Sequence, residues 1–531
     1  MTSTAVKTST ENARERAIVT KRVNEFLASG FSHTAANLTK PVFKGWNWEG
    51  GSPDDDIIEN LPIIRQRTRQ LAMEAPVIAG FHETRVTNII GGGLTLEPTP
   101  DMEYLELSSE AAQKLKSQQM RLFDMWAESK ACDYRRQNNF YELQRLAMRA
   151  KDESGDTFIT MPMIERGNEP FALKLHVIEA DCITDPQGHS MIEAQRDGRD
   201  IMGGVETDSW GQVLAYWVST KHPLSQRRGI FPYNPLEEYV RIPAFGEESG
   251  RQNILHLMAA TRPGQRRGVP LTAVVVEVML ILDRYIKAEA TAAQIQALFT
   301  AVVTSEGDPE VLAGEMEALS AGDDTNLEES EIGLGSGIIQ YARPGEGIEC
   351  INPTRPTNVY QNFIETTLQM MGPALKMPHE LLLQKFQSSY SASRAAFSMA
   401  NANLKVDQRA FVQDCNQPIY EAFMDECVAR GMIHAPGYWT DPLARRAYTR
   451  AKWNGPALPH IDPLKEIQAA SRMIELGVKT ASQATSELTG GDWYENVAER
   501  EREIEAAKKA GIESLAGEVE QMKLFEDGKH E

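Results

Sequence analysis

Ile254-Leu-His256, Thr261-Arg-Pro-Gly-Gln-Arg-Arg-Gly-Val-Pro270 and Leu271-Thr-Ala-Val-Val-Val-Glu-Val-Met-Leu-Ile-Leu-Asp-Arg-Tyr-Ile-Lys-Ala-Glu-Ala290 form the stretch that decides the fold. A basic, proline-bounded turn launches one long helix-like segment that continues through Ala301. Its first half is apolar on nearly every side. Its second half is rich in alanine, with Ala288, Ala290, Ala292, Ala293, Ala297 and Ala301. A helix apolar all round must be buried, and small side chains let neighbouring helices approach closely. It is therefore either the central helix of a monomer's core or a stave packed between staves of adjacent copies. The apolar run Leu271–Leu282 is interrupted by Glu277 and falls short of the ~20 residues that span a bilayer.

Downstream the charge changes sharply. From Ala288 through Ala342 there is no Lys or Arg, and ten acids fall between Glu306 and Glu331. Such a segment reads as a solvated acidic loop or as a docking, non-stick surface. A hairpin is expected next, with strands Ile338–Tyr341 and Ile348–Ile351 about the turn Arg343–Gly347. A second long helix follows Pro356 and runs to about Lys376. Gln384-Lys-Phe-Gln-Ser-Ser-Tyr-Ser391 is a polar break, and Ala392–Arg430 is helical again with a kink at Pro418. Residues 431–464 read as a Pro- and Trp-rich loop, and 465–517 as short helices broken at Gly477 and Gly490-Gly491.

Upstream, a helix is expected over Glu11–Ala28. Asp54-Asp-Asp56 stands where a helix N-terminus favours negative charge, and a metal site is the weaker reading. Leu61–Glu74, the break at Pro76, Val77–Ile90 and Gly91-Gly-Gly93 predict helix, helix, tight turn and strand. Arg65, Arg67 and Arg69 form a basic stripe, read as a solvated face or an intersubunit salt-bridge row rather than a phosphate contact. Ser109–Ala131 and Phe140–Ala150 predict helices. Gly155–Met161 and Ala172–Ile178 alternate as strands, and Met202–Val218 reads as a hairpin turning at Asp208–Gly211.

The 531 residues hold 41% apolar and 24% charged residues, the composition of a folded, multi-domain chain. A net charge of −20 argues against a protein that coats nucleic acid, since tight phosphate binding needs Lys and Arg. DNA sliding past such a surface is compatible with it. The five cysteines show no Cys-x-x-Cys spacing, so neither disulfides nor zinc is expected. Met1–Lys7 offers no apolar run, so no secretory signal is expected, and the protein reads as soluble and intracellular when made. No Gly-x-Ser-x-Gly, His-Glu-x-x-His or phosphate loop occurs. His176 and His256 read as satisfied core residues, and Asp181 and Asp185 as loop caps. No catalytic, metal or cofactor residue is therefore expected. If the chain handles DNA translocation, the nucleotide-driven motor is a separate protein.

Four ordered blocks carry a resemblance. Leu61–Leu71 with Asn88-Ile-Ile-Gly-Gly-Gly93, Arg262–Pro270, Ser389–Arg394, and Trp453-Asn-Gly-Pro456 with Ile461-Asp-Pro-Leu-Lys-Glu466 stand in register. Together they resemble the lambda-like portal proteins of tailed bacteriophages. Met73-Glu-Ala-Pro76 departs from the asparagines that the family often carries after its arginine helix. The resemblance implies an α+β, multi-domain subunit of a dodecameric ring: a mixed α/β wing, a long helical stem, a small β-containing clip and a helical crown. It implies an N-terminal arm (1–60), the wing (61–268), a first stem helix (269–302), the clip (303–355) and a second stem helix (356–377). A tunnel loop with a long wing helix (378–454) and the crown with a C-terminal tail (455–531) complete the division. It places Lys385, Phe386, Gln387, Ser388, Ser389, Tyr390 and Arg394 beside DNA. Glu306, Asp308, Glu328, Glu329 and Glu331 would lie on a clip that docks partners, and Ala288, Ala292, Ala293 and Ala297 would pack the stem. Implied partners are further copies of the chain, the terminase large subunit, a head-tail adaptor, capsid or scaffold proteins, and double-stranded DNA held without sequence preference. No membrane is involved. The implied location is the portal vertex of the virion, after assembly in the host cytoplasm. The competing readings are a non-portal virion adaptor or scaffold, and a DNA-processing enzyme whose site is assembled from distant residues.

Overall fold

The computed structural model describes residues 41–43, 50–186, 199–223, 239–298, 302–305, 346–349, 359–385, 390–456, 463–489, 491 and 493–510. The helix expected over Glu11–Ala28 lies outside them. Contacts divide the chain into residues 1–56 and 57–531. A short helix α1 (Pro53–Ile58) carries the three aspartates in its first turn, as its N-terminal partial charge favours.

Helices α2 (Leu61–Glu74) and α3 (Pro76–Ile89) meet at Ala75, which takes an extended conformation ahead of Pro76. Strand β1 (Thr95–Pro98) follows the glycine turn, in which Gly91 and Gly93 take positive φ. Helix α4 (Ser109–Ala127) is capped by Ser108, and α5 (Phe140–Ser154) by an Asn139–Glu142 capping box. Strands β2 (Asp156–Thr160), β3 (His176–Ile178), β4 (Asp200–Met202), β5 (Val205–Thr207), β6 (Val213–Ser219), β7 (Tyr239–Pro243) and β8 (Ile254–Met258) come next. They build two antiparallel sheets, ordered β3-β2-β8 and β4-β5-β6-β7. The hairpin at Asp208–Gly211 forms as expected, with Asp208 accepting from the Trp210 and Gln212 amides. The strand expected over Ala172–Ile178 shrinks to β3, because Leu173 and Leu175 make single bridges to Met163 and Asp133 instead of pairing with β2.

The long helix α6 (Val276–Leu298) begins later than its sequence suggests. A 3-10 turn, Ala273–Val275, precedes it, because the Leu271 amide is held by the Asp152 carbonyl at 3.1 Å. It is described as far as Leu298, the expected continuation to Ala301 lying outside the described residues, and strand β9 (Val302–Ser305) pairs antiparallel with β10 (Glu346–Glu349). Part of the turn expected at Arg343–Gly347 is thus strand, and its partner is β9. The expected partner Ile338–Tyr341 lies outside the described residues. Helix α7 (Val359–Ala374), the short α8 (His379–Leu383) and α9 (Tyr390–Phe411) follow. One π turn, Val412–Asn416, then leads into α10 (Gln417–Ala429). It sits directly before Pro418, whose nitrogen has no proton to give the preceding turn.

The stretch expected to be loop after residue 431 holds two elements, α11 (Pro442–Tyr448), capped by Asp441, and β11 (Ala451–Asn454). β11 exists because β1 offers it an edge, Leu96 facing Trp453. Three helices close the described chain, α12 (Pro463–Glu475), α13 (Ala481–Thr489) and α14 (Trp493–Ala510), with breaks at the glycines.

The larger core gathers Phe123, Trp126, Phe140, Tyr420 and Phe423, with Trp453 against it. Phe123 sits 5.3–5.8 Å from each of the other five rings, edge-on to most. A second core joins Leu71, Ile78 and Phe81 of α2 and α3 to Met279 and Leu282 of α6 and to Leu368 and Met371 of α7. The two long helices are thus rooted on the first two.

Candidate functional site

The two long helices also pack on each other beyond that shared core, where Tyr285 of α6 lies 4.6 Å from Phe363 and 5.8 Å from Tyr360 near the start of α7. Away from this seam they present apolar side chains to the outside. Ile281 is 53% exposed and Met370 75%, Leu280 and Phe363 are more than a third exposed, and Val274, in the 3-10 turn ahead of α6, is 70% exposed. The expectation that a helix apolar on all sides is buried therefore fails within one chain. Exposed apolar patches of this kind commonly mark interaction sites. Of the alanines expected to pack the stem, Ala288 and Ala293 are exposed and Ala292 half-buried, and the side chain of Ala297 lies outside the described residues.

The turn that launches α6 is built around a buried carboxylate. Asp156 Oδ1 accepts from Arg65 Nη2 at 2.7 Å and Oδ2 from Arg267 Nε at 2.7 Å. The Gly268 amide adds a third donor at 3.0 Å, and His256 Nε2 stands 3.4 Å away. Arg267 also donates to the carbonyls of Ala180, Ile183 and Gly203 at 2.6–2.8 Å. Burial alone would raise the Asp156 carboxyl, but Arg267 and then Arg65 outweigh it and hold it well below the usual carboxylate range. Gln265 ties the turn by accepting from the Thr261 amide and donating to the Arg267 carbonyl. A Cβ at Gly268 would overlap the Gly155 carbonyl, so two backbones cross there with no room for a side chain. The basic stripe is thereby corrected. Arg65 is buried on Asp156, and Arg69 pairs with Glu179 and Asp181 inside the same chain; Arg67 alone of the three is exposed.

A second ion cluster begins four residues earlier. Arg85 Nε donates to Asp152 Oδ2 and its Nη2 to Asp407 Oδ2, both at 2.8 Å, and Lys376 stands 3.9 Å from Asp407. This cluster joins α3, α5 and α9.

Glu179, Asp181 and His222 lie close enough to hold a cation. Arg69 bridges the two carboxylates and Arg65 approaches Asp181 at 3.6 Å, so positive charge already occupies that niche. Asp185 accepts from the Gly204 amide, the loop-capping role expected of it.

Of the expected channel loop, Lys385 is half-exposed and 3.9 Å from Glu365, and Gln384 before it is left-handed. Phe386, Gln387, Ser388 and Ser389 lie outside the described residues. Tyr390 opens α9, and Arg394 is exposed on that helix. Glu306, Asp308, Glu328, Glu329 and Glu331 also lie outside. Sequence reasoning missed Asp152, Asp156 and Asp407. The available signal for Asp156 was an acid one residue after Gly155, at the head of a strand whose other residues are apolar or hydroxylic.

No helix among the described residues is long and apolar enough to cross a membrane. The profile of phage portal proteins, lambda family, matches residues 39–408. Portal protein B of Escherichia phage lambda is 22% identical over 495 residues, covering 89% of each chain. The portal protein of Escherichia phage N15 is 23% identical over 492 residues, covering 88% of this chain and 89% of that one. Among solved structures, the neck of a native GTA particle, computed with C12 symmetry, aligns over 80% of this chain and 94% of that chain at 12% identity and a TM-score of 0.39. That likeness is too weak to add to the sequence match. The match runs from ahead of the first ion cluster, through the Arg262–Pro270 turn and both long helices, and into α9, and on that span the chain belongs to the lambda family of phage portal proteins.

Proposed function

We propose that copies of this chain close into a ring at one capsid vertex, and that double-stranded DNA passes through the ring during packaging and ejection. Family membership supports this reading. The observation that carries it is the uncovered apolar surface of α6, of the turn before it and of α7, at Val274, Leu280, Ile281, Phe363 and Met370. Two helices that expose such residues while sharing a core at their roots suit staves that wait for neighbours. Burying apolar area contributes about 25 cal/mol per Å², and a closed cyclic assembly covers both flanks of every copy.

In this reading residues 61–268 and α9 form the wing, 269–302 and 356–377 the stem, 303–355 the clip and 455–531 the crown and tail. The polar segment Lys385–Arg394 faces DNA, and the acidic clip receives the terminase motor first and the head-tail adaptor later. The ring conducts DNA and catalyses nothing, since the sequence carries no phosphate loop, and ATP is turned over by the motor. Its place is the virion, joined to capsid or scaffold proteins, after assembly in the host cytoplasm.

Negative-stain images of the purified full-length chain test the reading, with sedimentation giving the mass. A ring with a central hole is the expected result. A monomer at micromolar concentration, or ATP turnover abolished by a point substitution in this chain, would overturn it.

A further inference from the structure

The chain crosses from wing to stem twice, outward between β8 and α6 and back between α7 and α9. Both crossings are tied to the same short stretch. On the outward side Asp156 holds Arg267 and the Gly268 amide, and the Asp152 carbonyl holds the Leu271 amide at 3.1 Å. On the return side the Asp152 carboxylate holds Arg85, which holds Asp407 of α9, with Lys376 beyond the end of α7 standing 3.9 Å away. Helix α2 braces the pair, since its Arg65 reaches Asp156 while its Leu71 and Ala72 pack in the core that roots α6.

We propose that the one-turn stretch Asp152–Asp156 is the joint that fixes the direction of the stem against the wing, and through it the number of copies that close a ring. This rests on the ring reading. Asp152, Asp156, Arg65, Arg85, Arg267 and Asp407 are its positioning residues. The chemistry suits a joint better than a glue. Buried ion pairs add little net stability against apolar replacements, but a guanidinium fork accepts a carboxylate in few orientations. Arg267 has that fork held from five acceptors at once: both Asp156 oxygens and three carbonyls. The crossing of Gly155 and Gly268 removes the remaining slack. Angle matters because the stem is long. At 1.5 Å per residue α6 reaches roughly 35 Å, so a tilt of about 5° at its root moves its far end by about 3 Å. Since the copy number of a cyclic ring follows from the rotation between neighbours, such a displacement changes which number closes.

The experiment is native mass measurement of rings from the full-length parent, Asp407→Asn and Asp156→Asn, with circular dichroism melts of each. Asp200→Asn, which removes an exposed partner of Arg266, is the control. Asp407 is partly exposed, so Asp407→Asn is the variant expected to fold with a melt close to the parent's. The expected result is a single dominant mass for the parent and control, and its loss to several ring sizes or open arcs in Asp407→Asn. Asp156→Asn should do the same where it folds. A folded Asp407→Asn that keeps the parent's single ring size overturns the joint and leaves the portal reading intact. A parent that forms no ring overturns both.

Discussion

His82 makes the fold sensitive to acid, by an amount that can be worked out. It lies in α3, fully buried, with its edge toward Phe81, and neither ring nitrogen has a hydrogen-bond partner within the described structure. Burial pushes its pKa down from 6.5 to about 4; Asp152 opposes this, and Arg149 and Arg85 add to it. The sign follows from the lowered value. Between about pH 6.5 and 4 the unfolded chain binds a proton at this position and the folded chain does not, so stability falls as pH drops through that window. Above pH 6.5 both states are neutral and the site costs nothing through linkage. Each unit of pKa difference is worth about 1.4 kcal/mol, so going from pH 8 to pH 5 loses about 2 kcal/mol at this site. The assay is urea unfolding of the parent and His82→Leu at both pH values. The change in their difference isolates His82 from every other titrating group. Leucine gains about 2 kcal/mol on the parent between pH 8 and pH 5 if the reasoning holds. An unchanged difference would refute it and would mean that the imidazole is charged, or solvated, in the folded protein.

Three further outcomes follow from the surfaces. Ile281→Asp with Met370→Asp places charge on the uncovered face of α6 and α7 and should lower the ring fraction in sedimentation while leaving the melt of the chain nearly unchanged, because both side chains are more than half exposed. Lys385→Ala should reduce the length or retention of packaged DNA in a packaging assay with rings still intact; unchanged packaging would make Lys385–Arg394 an ordinary connection. Changing Glu328, Glu329 and Glu331 to Gln should weaken pull-down of the motor and the adaptor at low salt, with the parent's own binding falling as salt rises, since exposed charges are screened beyond ~8 Å at physiological ionic strength. Equal binding at low salt would make the acidic segment a solvated loop.

The helical framework was legible because local rules agreed with the packed result. Pro76, the glycine turn at Gly91–Gly93 and the break at Gly477 each mark an end where the backbone requires one. The hairpin at Asp208 was legible for the same reason. What escaped was pairing at a distance. β11 is a strand only because β1 lies beside it, 353 or more residues away in sequence, and a short Trp-containing run between prolines carries no sign of that partner. The arginine stripe escaped for the same reason. Periodicity puts Arg65 and Arg69 on one face of a helix, but only Asp156, Asp181 and Glu179, brought over by β2 and the turn after β3, decide that this face is inward. For α6 the composition left two readings open, a core helix or a stave between copies, and within one chain the helix keeps apolar side chains such as Ile281 exposed, which the core-helix reading does not allow.

The buried arginines bear on how the proposed DNA conduit would avoid gripping its cargo. Each guanidinium set on a phosphate releases counterions on contact, and a wall of them would hold the duplex in place. Four arginines are withdrawn from that use, whereas Arg67 and Arg262 stand exposed. Arg65, Arg85 and Arg267 are buried on Asp152, Asp156 and Asp407, and Arg69 is engaged by Glu179 and Asp181. Each is held by a carboxylate of the same chain. With a net charge of −20 on the whole chain, the surface left to meet a polyanion repels it except where a few side chains such as Lys385 and Arg394 stand exposed. The same ion pairs therefore keep these guanidinium groups buried and paired, off any surface that a polyanion could meet.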